Sequence, residues 1–434
     1  MERIYFSKTW RILIAVTLLV LPVLAACAGG AQPEATEPIV LGAPLATGFV
    51  YGWDAERALT LAVDEINAEG GVDVGGTMRP FQLEVIDTRD LEAGVPTSDA
   101  LLAVEKLILE KNADFIVGGP VRSEAALAAM DLMNKYKKVQ ILSTGALTPA
   151  INDKIVEEHD KYKYTFRISG EAKSIVGDII AVLEDIRANH GLDQGYIIIQ
   201  DVAHARSGGD ILNQLLTDKG WTIHGLDVYP TGTTDFSTSL LKAKDAGAQV
   251  LILWMDMPES SILLKQWHDL QVPALPFGSI LAAAEQPGFW DATEGKGEYA
   301  IANLVNAGNA WTTMNDWVQK FYKAYEERWD VPPEAYGTSS SYMTAYVLKD
   351  AIERAGSLDP DAVIKALEET DLMGVYGRIK FDPETHQVVH SMDPNEGAVG
   401  TMVQWQRGDR VTIFPPAAAV GELQLPPWMS GQSI

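Results

Sequence analysis

The chain has 434 residues, a formal net charge of −25, 47% hydrophobic residues and one cysteine. That length suggests two or three domains of ~100–200 residues, each able to bury a core, and 37 glycines with 22 prolines fall far below the roughly 25–30% of low-complexity chains. One cysteine excludes an internal disulfide framework and a multi-cysteine metal cluster, and the acidic balance argues against nucleic acid, whose phosphates require a basic surface.

The first eleven residues carry Arg3, Lys8 and Arg11 against Glu2, and the apolar run Ile12–Ala26 follows, ending in Leu24-Ala25-Ala26-Cys27. The run is shorter than the ~20 apolar residues a bilayer-spanning helix needs. A charged start, a short apolar middle and a small-residue end describe an export signal. The tetrad resembles a bacterial lipobox, in which Cys27 is lipidated and becomes the mature first residue. Residues 1–26 are therefore read as a lipoprotein signal peptide. Residues 27–38, rich in Gly, Ala, Pro and Glu, are read as a flexible tether.

The body alternates strands and helices. Ile39-Val40-Leu41 reads as a buried strand ending at Gly42; Leu59, Ala62, Val63 and Ile66 have helical spacing, and Gly70-Gly71 stops that helix. Phe81, Leu83 and Val85 alternate as a strand does. Leu101, Val104 and Ile108 are helical, Phe115–Val117 is a strand closed by Gly118-Gly119, and a helix from Ser123 to Tyr136 precedes a strand at Val139–Leu142. The series then restarts: helix around Val176–Leu183, strand Tyr196–Ile199, helix Ile211–Leu216, strand-like Trp221–Tyr229, strand Val250–Trp254 and helix Leu263–Leu270. Such alternation implies right-handed crossovers and parallel sheets. Residues 300–370 read as helix-rich, and Tyr376–Phe414 as strand-like.

Catalytic signatures are absent: there is no phosphate loop and no nucleophile elbow. The pair Gly70-Gly71 and Gly75-Gly76 follows a helix and precedes a strand, which suits a plain turn. His386 and His390 lie in an extended stretch, where four-residue spacing separates side chains by ~13 Å; they read as a surface pair. No metal, cofactor or enzymatic activity is expected.

Several motifs recur in a fixed order: Gly42-Ala43-Pro44-Leu45, Tyr51-Gly52, Asp64-Glu65-Ile66-Asn67-Ala68-Glu69-Gly70-Gly71, Ile116-Val117-Gly118-Gly119-Pro120 with Ser123, Ser143–Pro149, Gly232–Ser237 and Tyr376–Asp382. Over residues 39–415 this set resembles the extracytoplasmic solute-binding proteins of branched-chain amino-acid-type ABC importers. The resemblance implies an α/β type I periplasmic-binding fold: two doubly wound lobes, joined by three crossovers, with a ligand cleft between them. The crossovers are expected near Phe166–Ile168, Gly278–Leu281 and Tyr376–Lys380. Lobe 1 is then 39–167 plus 281–377, lobe 2 is 168–280 plus 378–416, and 417–434 is a C-terminal tail.

The resemblance also implies site residues. Ser123 opens a helix, where a hydroxyl and free N–H groups accept a carboxylate; it also suits a plain helix cap. The loop Gly145, Ala146, Leu147 and Thr148 would supply further N–H groups, although Leu147 stands where the family carries a threonine. Tyr51 would pack against the ligand side chain. From the second lobe, His204 would face the cleft and Glu259 would pair with the ligand ammonium, with Arg122 and Asp256 as further partners for the carboxylate and the ammonium. The implied protein is a monomeric, lipid-anchored receptor on the extracytoplasmic face. It would capture a small polar solute, foremost a branched-chain or other aliphatic amino acid, and deliver it to an ABC permease. Amides, urea-like compounds and small carboxylic acids remain open as ligands, and so does a sensor of the same fold that signals to a membrane partner without transport. Anchoring is directly testable: Cys27→Ser is expected to release the protein from membranes, and a variant that still sediments with them after a high-salt wash contradicts the lipobox reading.

Overall fold

The computed structural model describes residues 36–92 and 94–429; the signal segment, Cys27 and most of the tether lie outside them. Five parallel strands form a first sheet in the order Phe81–Asp87, Ile39–Leu45, Phe115–Gly118, Gln140–Leu142 and Thr165–Arg167. Seven form a second, in the order Asp409–Phe414, Met402–Gln406, Ile301–Asn303, Leu275–Leu281, Val250–Met255, Gln194–Gln200 and Thr222–Tyr229. Its last five run parallel and its first two add antiparallel at one edge. The inner strands are continuous apolar runs, as in Val250–Met255, where every residue is buried, because helices cover both faces of a parallel sheet. The helix Val50–Ala68 buries Ala55, Ala58, Leu59, Ala62 and Ile66 and packs along Thr338–Ala355, within the first hydrophobic core. The architecture is the α/β arrangement of two doubly wound sheets that the sequence implies.

The chain passes between the sheets three times, and two passages differ from the expected positions. The first follows Thr165–Arg167, as expected. The second is not at Gly278–Leu281: that segment is the interior of a strand, and Gly278 pairs with Ala302 of the next strand. A Cβ on Gly278 would stand 2.7 Å from the Ile301 carbonyl oxygen, so the glycine permits close approach of a neighbouring strand rather than a bend. The passage falls instead after Ile301–Asn303, near residues 304–310. The third is not at Tyr376–Lys380, which forms part of the hairpin Leu372–Gly374 with Gly377–Ile379 and packs in the first core. It falls near residues 399–402. The passages lie side by side: Tyr376 donates its hydroxyl proton to the Ile168 carbonyl at 2.9 Å, Ala307 N–H donates to Val399 O at 2.9 Å, and Leu304 N–H donates to Thr401 O at 3.0 Å.

Two further readings change. Gln404 accepts from Gln424 N–H at 2.8 Å and Trp428 Nε1 donates to Val272 O at 2.9 Å, so residues to 429 pack on the second sheet. His386 and His390 are not a surface pair: His386 is fully buried, and His390 Nε2 meets Asp178 Oδ1 at 2.7 Å.

Asp54, in the first long helix, is fully buried and ties that helix to the loop before Thr338–Ala355. It accepts from the Ala335 amide at 2.8 Å, the Glu334 amide at 3.3 Å and the Tyr325 and Thr338 hydroxyls. Removing the acceptor leaves several buried donors unpaired, at ~1–3 kcal/mol each. Asp54→Ala is expected to lose at least about 3 kcal/mol in urea unfolding, whereas Tyr325→Phe, which removes one donor, loses about 1 kcal/mol. Equal losses for the two variants contradict this account.

Candidate functional site

The carboxyl ends of strands in both sheets meet around Tyr51, Leu147 and Tyr336, three side chains that pack against the core of the second sheet although they lie in segments attached to the first. Crevices outside the carboxyl ends of parallel strands are where open α/β sheets bind ligands.

The first sheet supplies a polar rim. Ser123 begins the helix Ser123–Tyr136, and the preceding Arg122 offers no side-chain cap. The hydroxyl of Ser123 instead accepts from the Thr148 amide at 3.3 Å, so the helix start and the 145–148 loop come together. Buried Asp90 fixes that start by accepting from the Arg122 amide at 2.7 Å, while the Arg122 guanidinium reaches the Glu92 carbonyl at 3.4 Å, in an exposed loop. Gly145 has φ +65 and Ala146 φ +52. A Cβ on Gly145 would stand 2.1 Å from Val121 O, so only glycine fits that turn. Beneath the loop lies Arg167, 1% exposed. Its guanidinium donates to the carbonyls of Ala146 and Thr148, to Asn152 and to Gln387. Burial lowers its pKa to about 10, still cationic at neutral pH.

The second sheet supplies carboxyl groups. Tyr51 and Tyr336 pair with ring centroids 4.3 Å apart, and the Tyr51 hydroxyl donates to Glu285 Oε2 at 3.3 Å. Glu285 is 2% exposed; burial, followed by the nearby Asp256 charge, raises its pKa to about 8. Burial, then Glu285 and Asp256, raise both tyrosines. Asp256 has its amide on Gln200 Oε1 at 2.9 Å and its Oδ2 on His204 Nε2 at 2.6 Å. That bond raises the His204 pKa, and Glu124, in the first turn of the Ser123 helix, adds to it. Glu259 precedes the helix Ser260–Asp269, and its Oε2 is buried without a hydrogen-bond partner. The carboxyls that act on the tyrosine pair are Glu285 and Asp256.

Ser123 with the 145–148 loop, and His204 with Asp256, are therefore adjacent, and Tyr51 stands between the two sheets. Arg122 points into an exposed loop. Sequence reasoning missed Tyr336, Glu285 and Arg167. Arg167 had a legible signal, a lone cation in Thr165-Phe166-Arg167 at a predicted crossover.

Residues 46–396 match the family model described as periplasmic binding protein, and the chain belongs to that family, whose proteins are extracytoplasmic solute-binding proteins. No helix among the described residues is long and apolar enough to cross a membrane. The Leu/Ile/Val-binding protein homolog 7 of Brucella abortus is 26% identical over 426 residues, covering 93% of this chain and 98% of the relative. The branched-chain amino acid transporter substrate binding protein LivJ of Streptococcus pneumoniae, solved with isoleucine, shares the fold with a TM-score of 0.68 at 18% identity, covering 87% of this chain and all of that one. An ABC transporter solute binding protein of R. palustris, solved with benzoate, does so with a TM-score of 0.64 at 15% identity, covering 89% and 98%.

Glu285 gives the site a pH signature. A carboxyl with a folded pKa of about 8 and an unfolded value near 4.5 holds its proton more tightly in the native state. Its contribution to stability is complete below about pH 4.5 and is lost as pH rises through about 8. Glu285→Gln, neutral throughout, is expected to lose less thermal stability than the parent between about pH 5 and 9. Parallel melting profiles for the two proteins exclude a raised pKa at this residue.

Proposed function

We propose that the protein is the substrate-binding component of an ABC importer and that its interlobe cleft captures an aliphatic α-amino acid for delivery to a membrane permease. The observation that carries this reading is the division of the cleft. One rim offers a helix start and the Ser123 hydroxyl, suited to a carboxylate, while the Ala146 and Thr148 amides, which the sequence resemblance also assigns to it, are taken by Val121 O and the Ser123 hydroxyl; His204, favoured in its cationic form by Asp256, belongs to the second sheet. The second sheet offers Asp256, held against His204 at 2.6 Å, and Glu285 beside the Tyr51–Tyr336 pair, suited to an ammonium and an aliphatic chain. Asp256 and Glu285 take the ammonium role in preference to Glu259, because they are the carboxyls that act on the tyrosines. Sequence kinship to Leu/Ile/Val-binding protein homologues supports the ligand class. Lipidation at Cys27 is part of the same proposal, holding the receptor beside its permease.

A second reading, a small carboxylic acid without an ammonium, is favoured by one observation: a protein of the same fold was solved with benzoate. Calorimetry with L-leucine and its deaminated acid, 4-methylpentanoate, separates the two. Under the amino-acid reading the parent binds L-leucine more tightly, and Asp256→Asn weakens L-leucine by about tenfold or more, since charge-assisted hydrogen bonds contribute ~1.5–3 kcal/mol. Ser123→Ala weakens both ligands. Equal affinity of the parent for both compounds, or tighter binding of the acid, overturns the ammonium assignment.

A further inference from the structure

Away from the cleft, His159, Glu368 and His386 converge, with one ligand atom from each lying within 4.8 Å of the others; among the described residues no other such group of three occurs. Three elements bring them together. His159 opens the short helix His159–Tyr162, Glu368 ends the helix Pro360–Glu368, and His386 lies in a turn with φ +53. His386 is fully buried, stacked on Phe166 with centroids 4.0 Å apart and met by the His159 ring at 5.2 Å.

The ring nitrogens of His386 face only acceptors: the backbones of Thr165 and Lys163 and the Glu368 carboxylate. Its Nδ1 lies 3.2 Å from the Thr165 carbonyl oxygen; a carbonyl only accepts, so Nδ1 carries the proton. Nε2 then presents a lone pair, yet it lies 3.2 Å from Glu368 Oε1. Two acceptors at that distance require a cation or an additional proton between them. An imidazole whose N–H is fixed by a backbone carbonyl is also the arrangement that orients a metal-binding histidine.

We propose that His159, Glu368 and His386 form a site for one divalent transition-metal ion of the zinc class. Two imidazoles and a carboxylate suit zinc, with bonds of ~2.0–2.2 Å and a fourth position open to water, whereas magnesium and calcium favour oxygen-only sets. Lys163, whose charge acts on Glu368 beside that of His159, is itself held by Asp361 at 2.6 Å. The ion clamps two helices and the turn at 386 onto the strand ending in Arg167, whose amide donates to His386 O at 3.0 Å and whose carbonyl accepts from Val388 N–H at 2.9 Å. The site is independent of the solute bound in the cleft. The pairing of His386 with His390 by sequence spacing concealed it.

The test is titration of Zn2+ alone into the metal-stripped full-length protein, read by competition with a chromophoric chelator, with Co2+ as a spectroscopic probe. One equivalent is expected to bind with a dissociation constant below about 10 µM, to raise the melting temperature, and to give Co2+ the intense visible absorption of four-coordination. His159→Ala and Glu368→Gln, at half-buried positions, are each expected to weaken binding by at least tenfold. Binding weaker than about 10 µM, a six-coordinate cobalt spectrum, or undiminished affinity in both variants overturns the site. Should either variant fail to fold, the parent's affinity and cobalt spectrum decide alone.

Discussion

The buried guanidinium of Arg167 is the constraint on which the rest of this molecule is arranged. A charge removed from water must find several partners or be strongly destabilising. Arg167 finds four partners in three segments: the carbonyls of Ala146 and Thr148 in one loop, the side chain of Asn152, and Gln387 on the returning chain. Its one acidic neighbour, Glu171, is 3.9 Å away, so dipoles rather than an ion pair carry most of the compensation. The same contacts turn the carbonyls of the 145–148 loop inward. That leaves the Thr148 amide on the cleft side, where it meets Ser123. A residue at the first crossover thus determines which backbone groups the cleft can offer.

The opposite side works by the converse principle. Glu285 is compensated only in part: the Tyr51 hydroxyl at 3.3 Å, the Leu281 backbone and the Arg410 charge favour its ionised form less than burial opposes it, and the Arg410 guanidinium is spent on the carbonyls of Glu285 at 2.6 Å and Pro333 at 2.7 Å. Burial therefore keeps the carboxyl largely protonated near neutral pH. A cationic ligand group placed there would restore its charge and release a proton, whereas a neutral ligand would leave it as it is. Under the proposed capture of an amino acid, the Glu285 side would discriminate by charge, a property set by burial rather than by shape.

Much of this was legible in the sequence, and the failures have physical reasons. Apolar runs closed by glycine located the strands around Phe115–Val117 and Val250–Trp254, because buried parallel strands carry little else. Gly278 misled for the same reason: a glycine inside a strand can mark either a bend or a close neighbour, and periodicity cannot distinguish them. Ser123, the 145–148 loop, Tyr51, His204 and Asp256 could be named as candidates because each follows a strand that motif order identifies; that His204 and Asp256 pair is visible only in the structure. Tyr336 and Glu285 could not, since they reach the cleft from segments whose path depends on the second crossover, which had been placed too early. His386 escaped as a ligand because its partners are 227 and 18 residues away in sequence, while spacing rules compare only near neighbours.

The same residues connect the crossovers to the site. Asn309 donates to the Tyr336 carbonyl at 2.6 Å and Asn306 to the same oxygen at 3.3 Å, and both asparagines lie in or beside the second passage between the sheets. Asp54 holds the neighbouring Ala335 amide and Thr338 hydroxyl from the first lobe. The Tyr336 carbonyl is therefore held by asparagine side chains from the crossover, and its neighbours by Asp54 of the first helix, while its ring pairs with Tyr51 and senses Glu285. Rotation of one sheet against the other must bend the passages near residues 168, 304–310 and 399–402, and the second of these carries the anchors of the tyrosine. Under the proposed capture of a solute, such a rotation would also move the tyrosine pair.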